Sequence, residues 1–214
     1  MARSKSSGRW LDRQHRDPYV QKARKAGARS RAIFKLEELD RRDRLLKPGM
    51  IVVDLGAAPG GWSQYAAQRV GAGGRVIALD ILPMDPIPGV DVLQGDFTEA
   101  AVLRELEDRL GHRPVDLVIS DMAPNMTGIA ITDQARSMML AELALEFATQ
   151  HLRTGGDFLV KTFQGAGFTE FLSDLRRRFG EVLSRKPPAS RSESREIYLL
   201  GRGFKGAVEP GDRA

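Results

Sequence analysis

From Met50 onward, short and almost unbroken apolar runs alternate with stretches whose apolar residues return every three or four positions. The runs MIVVDLG (50–56), GRVIALDI (74–81), VDVLQGDF (90–97), VDLVISDM (115–122) and GGDFLVKTF (155–163) read as strands buried on both faces. Residues 61–70, 99–110, 133–151 and 168–179 read as helices, and the Pro-rich LPMDPIPG (82–89) stands where a helix would join the second and third strands. Upstream, RSRAIFKLEELDRRDRLL (29–46) carries a helical stripe at 32, 33, 36 and 39, with Ser30 as its expected cap and Lys47-Pro48-Gly49 as its stop. Downstream, EVLSRKP (181–187) and REIYLLGRGF (195–204) are strand-like with no helix between them, so a hairpin with one antiparallel strand is expected. The alternation predicts an α/β fold with a doubly wound, mostly parallel sheet, whose ligands sit at the carboxyl ends of the strands.

Charged residues stand at those ends. Asp54 closes the first strand, Asp80 the second, Asp96 the third and Asp121 the fourth, while Lys161 lies at the close of the fifth. A charge after an apolar run is costly unless it is paired or bound to something. A single such Asp is more often a helix cap, but a row of them around a glycine-rich turn points to a ligand. The turn runs from Gly56 through Ala57, Ala58, Pro59 and Gly60 to Gly61, and Asp80 ends the next strand. In this arrangement glycines admit a ligand to the backbone and an acid holds a ribose diol. The turn departs from G-x-G-x-x-G, however, and Pro59 and Trp62 would obstruct a pyrophosphate seeking helix N–H groups. A nucleoside without phosphates needs only the turn and the diol-binding acid. S-adenosylmethionine is such a ligand, and its sulfonium and amino cations suit nearby carboxylates; NAD remains the alternative at this step.

Composition narrows the chemistry further. A length of 214 residues suits one substantial domain. Cysteine is absent, which removes disulfides, thiolate metal sites, iron–sulfur clusters and thiol nucleophiles. His15, His112 and His151 stand at no metal-ligand spacing, so no metal is expected. No apolar run reaches the ~20 residues of a membrane span, and the N-terminus lacks an apolar signal region, so a cytoplasmic protein without membrane contact is expected. Charge is uneven: residues 1–35 hold 11 Lys and Arg against two Asp, which leaves the rest of a chain of net charge +5 at −4. A basic arm on a mildly acidic body suits a polyanionic partner, and Trp10, His15 and Tyr19 among the cations suit stacking on RNA bases. A solubilising tail is the blander alternative.

The fourth strand bears on the methyl acceptor. Transfer to an exocyclic amine goes with an Asp/Asn-Pro-Pro-aromatic turn, whereas this chain has Asp121, Met122, Ala123, Pro124 and Asn125. Pyrimidine C5 methylation goes with a cysteine nucleophile, absent here. An oxygen acceptor remains. A ribose hydroxyl is a very weak acid and needs a base, and a lysine serves as one only when neutral, a form favoured by burial and by a second cation. Lys161 is the candidate base, Lys35 the second cation, and Asp121 and Glu196 the acids that orient both. The blander readings are a solvated helix face for Lys35 and, for Glu196, a partner for Arg195 or an edge-strand charge.

Taken in order, SRAIFKLEEL, DLGAAPGGWSQ, ALD, GDF, SDMAPNMTG, LVKTFQG and SRSESREIYLL resemble the FtsJ/RrmJ (RlmE) family of ribosomal RNA ribose 2′-O-methyltransferases. The resemblance implies a class I S-adenosylmethionine-dependent methyltransferase fold, Rossmann-like, with a seven-stranded sheet, its last strand antiparallel and helices on both faces. It implies a Lys-Asp-Lys-Glu tetrad at Lys35, Asp121, Lys161 and Glu196. Cofactor contacts are implied at Gly60, Trp62, Asp80, Asp96 and Asp121, next to Gly56 of the turn, with Phe97 beside the adenine. The implied substrate is a uridine 2′-hydroxyl in the aminoacyl-tRNA-binding loop of 23S rRNA, within the large ribosomal subunit. The basic arm and Arg185, Lys186, Arg191 and Arg195 then become RNA-backbone contacts. A tRNA-directed homologue, a noncatalytic ribosome-assembly factor on the same scaffold and an NAD-dependent oxidoreductase are the alternatives. A monomer is expected, organised as a partly flexible basic arm (1–29), one methyltransferase domain (30–204) and a flexible tail (205–214).

Overall fold

Near-continuous apolar strands need cover on both faces, and the structure supplies it. The computed structural model describes residues 17–111, 113–125, 127–191 and 194–206. The elements are α1 (Pro18–Lys25), α2 (Ile33–Asp43), β1 (Ile51–Leu55), α3 (Gly61–Val70), β2 (Arg75–Asp80), β3 (Val90–Gln94) and α4 (Ala100–Leu110). They continue with β4 (Val115–Ser120), α5 (Ala130–His151), β5 (Leu152–Phe163), α6 (Phe168–Arg178), β6 (Phe179–Arg185) and β7 (Glu196–Phe204). The strands form one seven-stranded sheet of order β3-β2-β1-β4-β5-β7-β6. Strands β1 to β5 are parallel, and β7 runs antiparallel between β5 and β6.

Successive side chains of a strand point to opposite faces. Val53, Leu55, Val118, Phe158, Val160 and Leu199 pack on one face with Leu106 of α4, Phe147 of α5 and Leu175 of α6. Val52, Leu117, Ile119, Leu159, Tyr198 and Leu200 pack on the other with Leu36 and Leu39 of α2 and Trp62 and Ala66 of α3. Each fully buried side chain of this kind contributes about 1.5–3 kcal/mol. Helices α4–α6 thus cover one face and α2–α3 the other. Among the described residues no helix is long and apolar enough to cross a membrane.

Three local features differ from the sequence reading. Ser30 does not cap α2: Ala32 is the N-cap residue without a side-chain bond, and Ser30 Oγ is buried against Gly61 with no hydrogen-bond partner. Helix α5 begins at Ala130 rather than at 133. Residues 17–29, assigned to the arm, are folded onto the body. Asp17 caps α1 by accepting the Tyr19 N–H and pairs with Arg31 at 2.7 Å, while Ala23 is buried with Phe34 and Ala189. Residues 1–16 of the expected arm, His112 and residues 207–214 of the expected tail lie outside the described residues.

Candidate active site

Strand β1 has β2 on one side and β4 on the other, so the chain leaves the sheet centre in opposite directions and opens a crevice at the strand ends. Gly56 follows β1 and Met122 follows β4 at this switch. Gly56 has a φ of +78°, and a Cβ there would lie 2.9 Å from Met122 Cα, so only glycine lets the two loops approach. Beside them opens a cavity of about 730 Å³. Gly56, Ala58, Asp80, Ile81 and Leu82 line one part, Gly95 to Thr98 another, and Asp121 to Asn125 with Arg136, Met139 and Leu140 of α5 the facing wall.

The acids of the cavity are held by the backbone that carries them. Asp80 accepts the Ala58 N–H at Oδ2 and the Leu82 N–H at Oδ1, each at 2.8 Å, tying the glycine-rich turn to the exit of β2. Asp96 accepts the hydroxyl and the N–H of Thr98 at 2.7 and 2.9 Å, and these two bonds hold its carboxyl below the usual range. Next to it, Phe97 meets Phe147 edge-on at 5.8 Å. Beneath the turn, Asp54 is wholly buried: Oδ2 accepts the Ser63 hydroxyl at 2.6 Å, and Oδ1 has no hydrogen-bond partner. Burial, opposed by the Ser63 bond and reinforced by the charges of Asp121 and Asp80, pushes its pKa from 3.8 up to about 7. Helix α3 starts at Gly61 without a side-chain cap, its first residues Gly61, Trp62 and Ser63 buried and the Ser63 backbone bonded to Asp54.

A second set of polar groups follows from strand register. Lys161 of β5 lies opposite Tyr198 of β7, and the period of two puts Glu196 on the face of Tyr198. Because β7 is antiparallel, its first residues stand at the carboxyl ends of the parallel strands, near Asp121, under α2. Lys161 Nζ donates to the Asp121 carbonyl at 2.7 Å and pairs with its Oδ1 at 3.0 Å. The Tyr198 hydroxyl donates to the same Oδ1 at 2.9 Å and accepts from Lys35 Nζ at 3.0 Å. Lys35 also pairs with Glu196 Oε1 at 2.8 Å. The result is an unbroken chain, Lys161–Asp121–Tyr198–Lys35–Glu196. Burial raises the pKa of Asp121, but the charges of Lys161 and Lys35 and the bonds from Lys161 and Tyr198 outweigh it and hold the carboxyl below its ordinary value. Burial first, then the charges of Asp121 and Glu196, push the Tyr198 phenol well above its ordinary value, so it stays neutral and both accepts and donates.

The structure therefore brings Lys35, Asp121, Lys161 and Glu196 together, and sets Gly56, Asp80, Asp96, Phe97 and Asp121 around one cavity. Gly60 and Trp62 are not in its wall. A Cβ on Gly60 would strike Ile87, and the Trp62 indole is buried, donating to the Ala32 carbonyl at 2.8 Å with its ring 5.7 Å from that of Tyr198. Tyr198 itself was missed: inside IYLL it reads as strand core, and the only signal was its spacing of two from Glu196. Glu196 serves Lys35 and not Arg195. Arg185 is not a free RNA contact, because Asp43 holds its guanidinium by two bonds at 2.8 and 2.7 Å. Lys186 donates to the Ser194 carbonyl at 2.7 Å, Arg191 approaches Asp17 at 4.0 Å, and Arg195 is exposed. Among the described residues no group of three or more His, Cys, Asp or Glu is placed to hold a metal ion.

Comparisons with known proteins agree with this geometry. Residues 28–204 match the family model of the FtsJ-like methyltransferases. The chain is 59% identical over 208 residues to the ribosomal RNA large subunit methyltransferase E of Xanthomonas campestris pv. campestris (strain B100), covering 97% of this chain and 99% of the relative. It is 62% identical over 201 residues to the protein of that name from Azoarcus sp. (strain BH72), covering 94% and 98%. Among solved structures, a ribosomal RNA methyltransferase from Plasmodium falciparum superposes with a TM-score of 0.76 at 33% identity, over 84% of this chain and 100% of that one.

Proposed function

The chain belongs to the FtsJ-like methyltransferase family, and from that premise we propose that it moves the methyl group of S-adenosylmethionine onto a ribose 2′-hydroxyl of large-subunit ribosomal RNA. The acceptor we assign is a uridine in the aminoacyl-tRNA-binding loop of 23S rRNA. One observation carries the reading: Asp121 belongs both to the wall of the nucleoside-sized cavity and to the chain that ends on Lys161. The names of the bacterial relatives support the large-subunit substrate.

The cavity residues fit the cofactor. Asp80 suits its ribose hydroxyls, and Asp96 and Phe97 its adenine. Asp54, with a buried and unpartnered oxygen under the turn, adds negative charge suited to a cation. Bound there, S-adenosylmethionine would supply an electrophilic methyl group.

The residues of the chain supply the rest. Two bonds to Asp121 fix Lys161 Nζ; in the neutral form of the amine the remaining tetrahedral position holds a lone pair, which receives the 2′-hydroxyl and takes its proton as the oxygen displaces the methyl group from the sulfonium. Asp121 is steered in turn by the Tyr198 hydroxyl, and Tyr198 by Lys35, which Glu196 anchors. A positioned base contributes roughly 10²–10⁴-fold to such a step, and orientation of the hydroxyl contributes more.

The test uses large ribosomal subunits from cells lacking the protein, incubated with the purified protein and methyl-labelled S-adenosylmethionine. Mapping of 2′-O-methyl groups should show label on one uridine of 23S rRNA. Label on a base or on tRNA alone, or no label, overturns the assignment.

A further inference from the structure

The first turns of α5 are patterned inside out. Asp133 and Ser137 are buried, whereas Ile131 is 85% and Met139 49% exposed, and Ala135 between them is exposed as well. Spacing of four residues puts these three on one stripe. A helix that only covers a sheet has the reverse pattern, with apolar residues inward and polar ones out. An exposed apolar stripe with no role in packing marks a contact surface.

The stripe is held rigidly and aimed at the active site. The Asp133 carboxylate accepts the N–H and hydroxyl of Thr127, each at 2.7 Å, and the Gly128 N–H at 3.0 Å. The Ile129 N–H donates to Thr127 Oγ1 at 3.2 Å, which fixes Ile129, 62% exposed, just ahead of the stripe. Gln134 donates to the carbonyls of Phe163 and Ala166 at 3.0 and 3.1 Å, tying this turn to the end of β5, the strand that carries Lys161. At its inner end the stripe enters the cavity through Met139, beside Arg136, which is the cavity's only cation among the described residues. The other exposed aliphatics, Ile81 and Leu82, line the same cavity near Asp96 and belong to the cofactor site.

We propose that Ile129, Ile131, Ala135 and Met139 form a platform for the nucleobases that flank the methylated nucleotide, with Arg136 holding the adjoining phosphate. This rests on the reading of the substrate as RNA. The Lys161 side chain is only 7% exposed, so the target ribose has to leave a stacked RNA loop to reach it, and its neighbours lose a stacking partner. Aliphatic side chains at the mouth of the recess replace that partner, as they do where apolar wedges enter between base steps. A guanidinium beside them suits a phosphodiester oxygen pair. A protein helix would match the aliphatic stripe but leave Arg136 without a counterpart.

Ile131→Ser, Ala135→Glu and Arg136→Gln test the platform in the full-length protein. Three quantities are read: methyl transfer to unmethylated large subunits, binding of a fluorescent RNA fragment carrying the target loop, and titration with S-adenosylmethionine. Ile131→Ser and Ala135→Glu should raise the RNA Kd and KM roughly tenfold, the cost of one lost apolar contact in a site, with cofactor Kd and Tm unchanged. Arg136→Gln should lower the slope of log affinity against log salt by about one. Wild-type RNA affinity and KM in all three variants overturn the platform. Weakened binding to intact subunits with unchanged binding to the fragment would put a ribosomal protein on the stripe and overturn it as well. A wild-type protein whose RNA binding falls with Ile131→Ser, but which methylates no ribose, would leave the platform standing and overturn the reaction proposed above. A wild-type protein that binds no RNA overturns both.

Discussion

The Tyr198 hydroxyl donates to Asp121 Oδ1 across 2.9 Å while accepting from Lys35 Nζ at 3.0 Å. Two ion pairs that would otherwise be separate, Lys161 with Asp121 and Lys35 with Glu196, become one polar unit through a neutral phenol. Tyr198 does not itself line the cavity and reaches it only through Asp121, which makes it a positioning residue in the reading proposed above.

Tyr198→Phe should isolate that link. The ring keeps its place against Trp62, while Lys35 loses an acceptor and Asp121 a donor. Because the Tyr198 bond is among the influences that lower the Asp121 pKa, the carboxyl of the variant titrates at higher pH. The acid limb of the pH–rate profile should therefore move upward, with kcat reduced about tenfold or more and cofactor Kd unchanged. The unpaired buried groups should cost roughly 1–3 kcal/mol of stability. A fall in stability with an unmoved acid limb would leave Tyr198 a purely structural residue.

Lys161→Ala removes both the proposed base and the partner of Asp121. Single-turnover methyl transfer should fall by roughly 10²–10⁴-fold or more. Calorimetric affinity for S-adenosylmethionine should hold, since Lys161 is not in the cavity wall. Lys161→Arg should not restore activity, because a guanidinium does not give up its proton in proteins. Turnover near the wild-type rate in either variant contradicts the role given to Lys161.

Asp80 has two tasks that one substitution can separate. Its oxygens hold the Ala58 and Leu82 N–H groups, and its carboxylate faces the cavity. Asp80→Ala should weaken cofactor binding and also release the turn, lowering Tm. Asp80→Asn keeps one acceptor oxygen and should spare more of the Tm while still losing affinity by about tenfold, the scale of one hydrogen bond to a charged group. Equal affinity in Asp80→Asn and the wild type would remove Asp80 from the ribose site.

Strand positions and their terminal acids were legible because both signals are local: an apolar run, then a charge. The tetrad was legible only as residue types, since its assembly depends on the pairing of β5 with antiparallel β7. That same pairing hid Tyr198, which stands inside the apolar run IYLL. The start of α5 was misplaced at 133 because Ile131 faces outward and Asp133 inward, against the periodicity used to find helices. Arg185 looked like a free cation until the fold brought Asp43, 142 positions away, against it.

Asp54, buried beneath the turn, makes a pH-dependent prediction of its own. Its pKa is about 7 in the folded protein and 3.8 when unperturbed. Between those values the folded state binds more proton than the unfolded one, so stability falls as pH rises through this window and levels off above it. Asp54→Asn has no proton to lose there. The difference in Tm between variant and wild type should therefore shift in favour of the variant from about pH 4 to about pH 7 and then stay constant, whatever its absolute size. A difference independent of pH would mean that Asp54 is ionised throughout. The same titration bears on the ligand, because only the ionised carboxylate attracts a cation. Cofactor affinity in the wild type should accordingly rise with pH through about 7, and Asp54→Asn should lose that rise.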